Sequence, residues 1–147
     1  AGAEGLSWRD LLEVGAQLAE SRRADAAAKM LDRLMGQPLP PDFPADAFVR
    51  VARAYEQCGR PDKMVAPLMR FLQARPTDWR AWITLAAAYQ RLGQGDRAAG
   101  ALRRAQELGR AQAMQAAYQV PELRPLFQQA APGGQPGGGL GLPGFPR

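Results

Sequence analysis

Histidine and asparagine are absent from this 147-residue chain, cysteine occurs once, at Cys58, and lysine twice, at Lys29 and Lys63. Without histidine the chain lacks the commonest general base and the commonest metal-binding side chain. One cysteine forbids an internal disulfide and, with no histidine beside it, any zinc site made from those two residue types. No apolar run approaches the ~20 residues that cross a bilayer. No stretch alternates apolar and polar residues between turn signals, so strands are not expected. The one glycine pair near a helix start, Gly93-Gln94-Gly95-Asp96, lacks the Gly-Lys-Ser/Thr ending of a phosphate loop and reads as a turn. Glu13, Glu20 and Glu56 are scattered along presumed helix surfaces and do not form an acid–base pair. These absences argue against an enzyme and give no reason to expect a metal or a cofactor.

The charge is modest and uneven. The net charge of +5 comprises −2 over residues 1–44, +2 over 45–78, +4 over 79–112 and +1 over 113–147. Nearly every cation is arginine. With the abundant alanine, glycine and proline, this fits the codon bias of a GC-rich bacterial genome; a surface that favours acidic partners is the functional alternative. The first residue is alanine, as expected of a processed product or an excised fragment. The residues present leave the cytoplasm, the periplasm and a soluble part of a membrane-anchored protein all open.

The positive signal is a repeat. Phe48, Val51, Ala52, Tyr55, Gly59 and Leu68 recur 34 residues later as Trp82, Leu85, Ala86, Tyr89, Gly93 and Leu102. Trp82, Leu85, Ala86 and Tyr89 follow the i, i+3, i+4, i+7 pattern of one buried helix face. Ala98, Leu102, Ala105 and Leu108 continue it on a second helix. A unit this short cannot bury its apolar stripe alone and must stack on neighbours.

This spacing and these residue types resemble the tetratricopeptide repeat, a helix–turn–helix unit. The resemblance implies an all-α, right-handed superhelical solenoid. Copies are expected at about 8–44, 45–78 and 79–112, giving three helix pairs, with a cap over 113–130. The first copy matches through Leu11, Val14, Gly15 and Leu18, then Ala27, Leu31 and Leu34. It lacks the turn glycine and runs three residues long, an excess expected at Pro38, Pro40 and Pro41. Small residues such as Ala86 and Ala98 stand where the family's helices cross. Met64 departs from that pattern, and Pro67, inside a second helix, predicts a kink or a late helix start. Cys58 is expected to serve as packing at a helix end. Trp8 and Trp79, at the first position of their copies, are expected to pack between repeats.

In the cap, Ala113, Met114, Ala117 and Tyr118 form one buried face. Pro121 opens a short helix to Gln129 that buries Leu123, Leu126 and Phe127. Residues 1–7 form an N-terminal extension. Residues 131–147 are a Gly/Pro-rich tail expected to be flexible, yet with an apolar motif at Leu140, Leu142 and Phe145 that suits a groove.

In this family the inner, concave face is lined by first-helix residues. Register carries that role here to Arg50, Arg53, Arg80, Ile83, Ala87, Gln90 and Arg91, with Arg9, Leu12, Ala16, Glu20, Val49, Glu56, Gln57 and Thr84 beside them. The expected function is a non-catalytic protein-interaction module that takes an acidic peptide or a partner segment, its guanidinium groups forking onto carboxylates. A clamp of lysines and asparagines, as chaperone-binding members use for a C-terminal carboxylate, is excluded because the chain has no asparagine. Nucleic acid is not expected, since the aromatics are used in the core. Self-association into a larger assembly is the alternative.

Overall fold

A computed structural model of the chain describes residues 6–130. All regular structure among them is helical: α1 (Trp8–Glu20), α2 (Ala24–Gly36), α3 (Ala45–Gln57), α4 (Val65–Ala74), α5 (Trp79–Arg91), α6 (Gly95–Tyr118) and α7 (Arg124–Ala130). The chain divides into two compact units, Ala1–Ala74 and Arg75–Arg147. The tail motif Leu140, Leu142 and Phe145 lies outside the described residues.

The first unit holds the hairpins α1–α2 and α3–α4, with α1 also packed on α3. A capping box opens α1: the Ser7 hydroxyl accepts from the Asp10 amide, and the Asp10 carboxylate accepts from the Ser7 amide at 3.1 Å. Leu11 and Gly15 are buried on α1, and Phe48, Val51, Ala52 and Tyr55 are buried on α3. The small-residue position is tightest at Gly15, where a Cβ would come within 2.9 Å of Leu31. Val14 departs from the expected stripe: it is 39% exposed, whereas its counterpart Val51 is fully buried. Among the described residues of this unit α1 packs against α2 and α3, and Val14 is left on its exposed side.

The irregular features of the second copy have a local cause. A 3₁₀ turn, Pro61–Lys63, precedes α4, and Pro67 falls in the first turn of α4, where a missing amide leaves no bond unmade. The helix therefore starts late. Met64, at the joint, is buried. The extra residues of the first copy lie in the connection 37–44, which Phe43 pins down. Its ring centroid is 4.7 Å from that of Trp8 and 4.7 Å from that of Phe48.

The three hairpin turns are one structure repeated. Arg22, Gly59 and Gly93 take φ of 61°, 71° and 74°. After each, an amide reaches five residues back: Arg23 to Leu18, Arg60 to Tyr55, and Gln94 to Tyr89. This is the Schellman closure, and its left-handed residue is normally glycine. The first copy makes the same turn with arginine.

In the second unit, Asp78 caps α5 by accepting from the Ala81 amide, and the Trp82 indole donates to the Pro76 carbonyl at 3.1 Å. α5 pairs with α6. α6 is broken at Arg110, whose φ of 55° and ψ of −138° are not helical. At the break a Cβ on Gly109 would sit 2.7 Å from the Trp79 ring. Trp79 therefore packs at the α6 break, within its own copy, and Trp8 packs on the connection; neither contact is the packing on a preceding repeat expected of them. Beyond the break, Ala113, Met114 and Ala117 are fully buried as expected, but Tyr118 is 40% exposed. Its ring meets Phe127 edge-on at 5.2 Å. A second 3₁₀ turn, Pro121–Leu123, packs against α5 and leads into α7, much as Pro61 leads into α4. Leu123, Leu126 and Phe127 are buried.

Two outcomes follow. Arg22→Gly should raise stability by about 0.5–1 kcal/mol, because arginine bears a steric cost there that glycine does not; Gly93→Ala should lower it by about 1 kcal/mol. Urea unfolding of the two variants would check both signs. Gly109→Ala should cost about 2 kcal/mol or more by forcing Trp79 from its seat. The cost should shrink in a Trp79→Ala background, which a double-mutant cycle would read.

Candidate functional site

The first helices were expected to supply the binding face, and the two units supply it differently. On α1 and α3 the charges largely answer one another. Arg50 donates to Glu13 at 3.3 Å, and Glu13 also accepts from Gln17 at 3.3 Å. The pair is half-exposed, so its energetic value is small, but it occupies Arg50. Arg53 is exposed and has no ion pair among the described residues. Leu12, expected on the face, is buried at 2% exposure and belongs to the core.

The α5 face is cationic throughout, since this helix contains no carboxylate. The Arg80 guanidinium carbon lies 4.4 Å from the centre of the Trp79 ring. A guanidinium stacked on a ring keeps its N–H donors available at its edge. The Thr84 hydroxyl donates to the Arg80 carbonyl at 3.1 Å. Arg91 is exposed at the last turn, and Gln90 is half-buried. Ile83 and Ala87 are only 6% and 8% exposed. Of the residues expected to contact a partner, Arg53, Arg80 and Arg91 therefore reach solvent unpaired by carboxylates, Arg50 is paired, and Ile83 and Ala87 lie largely covered.

One polar cluster escaped the sequence reading. Asp32 of α2 accepts from the Tyr55 hydroxyl of α3 and from the Lys63 ammonium of the 3₁₀ turn, each at 2.6 Å. A tyrosine on a buried stripe calls for an acceptor at its polar tip, which was the available signal; nothing in the sequence says which residue answers it. Partial burial works to raise the Asp32 pKa, but hydrogen bonds from Lys63 and Tyr55 outweigh it and hold the carboxyl below the 3.8 of an ordinary aspartate. Burial and the neighbouring carboxylate push the Tyr55 phenol far above its ordinary value. The cluster ties both hairpins of the first unit together. Burial also pushes up the Cys58 thiol, which sits at the C-terminal cap of α3, so it is poorly suited to act as a thiolate. Among the described residues, no helix is long and apolar enough to cross a membrane.

Residues 45–88 match the family model described as the tetratricopeptide repeat. The match supports a protein-interaction or scaffold module. Two solved structures share the fold. MamA MSR-1 C2 is 19% identical with a TM-score of 0.59, over 89% of this chain and 83% of that one. A MamA mutant is 19% identical with a TM-score of 0.57, over 84% of this chain and 78% of that one. At this identity the likeness is one of fold. A comparison with curated proteins gave no match.

The Asp32 cluster makes a pH prediction. The folded pKa is depressed, so its contribution is fully present above the ordinary aspartate value and is lost as pH falls through the folded value. Asp32→Asn should destabilise by about 1 kcal/mol at neutral pH, the half-exposed setting limiting the effect. The gap between wild type and variant should narrow as the pH falls below the ordinary aspartate value and on through the lower folded one. Melting temperatures across that range would check it.

Proposed function

We propose that the chain is a non-catalytic adaptor whose first-helix faces bind an acidic segment of a partner protein. The observation that carries this reading is α5, where Arg80, steadied on Trp79, and Arg91 stand on a helix with no carboxylate. Arg53 adds an unpaired cation on α3. Such guanidinium groups suit the two oxygens of a carboxylate better than a single-point acceptor. Single-stranded nucleic acid is disfavoured because its bases need free aromatic faces. Trp79 is taken up by Arg80 and the α6 break, while the Trp82 indole donates to Pro76.

The exposed Val14 supports a second reading, assembly through a helix laid on the outer side of α1. Light scattering separates the two: an adaptor is monomeric alone, and an assembly subunit gains mass with concentration. The adaptor reading is tested by titrating labelled glutamate-containing peptides into wild type and into the Arg53→Ala, Arg80→Ala double variant. Affinity should fall by about tenfold, and its dependence on salt should flatten. Unchanged affinity at low salt would place the ligand elsewhere.

A further inference from the structure

The two units differ in what their first helices can hold. Residues 1–74 carry ten cations and ten carboxylates, whereas residues 75–147 carry nine arginines and four carboxylates, so the entire net charge lies in the second unit. On α5, Arg80, Thr84, Ala87 and Arg91 fall at i, i+4, i+7 and i+11, which is one line along the helix. Arginines mark its two ends. Between them stand only a methyl and a hydroxyl, and the hydroxyl is already turned onto the Arg80 carbonyl. Ala87 is 8% exposed and Thr84 is half-buried, so a ligand on this line is held by the two exposed arginines at its ends and not by its middle.

Eleven residues of helix separate the two arginines by about 16 Å along the axis. An extended peptide rises about 3.3 Å per residue, so that span corresponds to about five residues. We propose that the α5 face measures its ligand: it binds an extended peptide segment carrying two carboxylates four or six residues apart, an even spacing that puts both on one side of the chain, with small residues between. This rests on the adaptor reading and adds the spacing that the partner must show. The equivalent line on α3 runs Asp46, Arg50, Arg53 and Gln57, and has a carboxylate where α5 has Arg80. On that line Arg50 is already paired with Glu13. Only α5 presents cations at both ends, so the ruler belongs to the second unit. A carboxylate ligand is favoured over a phosphate backbone because no free aromatic face stands beside the line to stack a base.

The test is an NMR titration of the isotope-labelled full chain with three acetylated, amidated decapeptides of alanine, serine and glycine. One carries two glutamates four residues apart, one carries two adjacent glutamates, and one carries a single glutamate. The spaced peptide should bind about fivefold or more tightly than the other two, shifting the Trp79 indole signal. Arg80→Ala and Arg91→Ala should each reduce the spaced peptide to the affinity of the single-glutamate peptide. Arg80→Lys and Arg91→Lys, which keep the charge and guard against unfolding, should recover part of the loss. If spaced and adjacent peptides bind alike yet both need Arg80 and Arg91, the ruler is overturned while the adaptor reading stands. If binding needs Arg53 and ignores Arg80 and Arg91, the α5 assignment falls and the ligand belongs to the first unit. If none of the peptides binds, both fall. A ten-nucleotide oligothymidylate binding more tightly than the spaced peptide, through the same arginines, would overturn the choice of carboxylate.

Discussion

The backbone reversal after each first helix is the constraint on which both units depend. A helix pair this short buries its stripe only if the chain turns back within two or three residues, and the Schellman closure does so through one residue of positive φ. The turn sets where the second helix starts, and hence which of its residues meet the first. Once it is made, Leu31 faces Gly15 in the first hairpin. Glycine supplies the turn twice at no steric cost. Arginine supplies it once, in the copy with the capping box and the aromatic-pinned connection. The turn geometry is thus held by the hairpin around it and not by the residue alone.

Charge then divides what packing made similar. Hairpins of nearly the same backbone carry different surfaces on their first helices. The α1 and α3 faces bind each other through Glu13 and Arg50, whereas α5 turns its arginines outward. A repeat fold separates these tasks readily, because the stripe that packs and the line that faces solvent occupy different angles of one helix. Charge can change along that line without disturbing the core.

The buried stripe was legible because it depends on identities repeated at fixed offsets. The same is true of the late start of α4, since a proline inside a helix has few places to go. What could not be read was whatever depends on which element is near. Val14 and Val51 share a register and residue type, yet Val51 is buried and Val14 is left on the exposed side of α1. Ile83 and Ala87 sit on the expected face by register but are covered in the fold. Tyr118 shares a helix face with the buried Ala113, Met114 and Ala117, yet it is the last residue of that helix, and its ring ends half in solvent against Phe127. Nothing in the sequence marks Gly109; its meaning appears only with the Trp79 ring against it. Among the residues expected to contact a partner, the arginines reach solvent, but Arg50 is paired with Glu13, and sequence offers no way to see a pair across two copies.

The Asp32 cluster bears on how such a protein can be rebuilt. Its three members come from the second helix of one copy, the first helix of the next, and the turn that follows. Repeat proteins invite shuffling, since each unit is bounded and its neighbours look alike. Here a hairpin lifted out and replaced by an idealised copy would leave the Tyr55 hydroxyl or the Asp32 carboxylate without its counterpart. Nor would an inserted hairpin restore the contact, because it would move Asp32 away from Tyr55. The first two copies are therefore matched halves with a fixed order. Recombination within this chain should respect the joint between α2 and α3 as a unit of inheritance and cut instead within the solvent-facing turns.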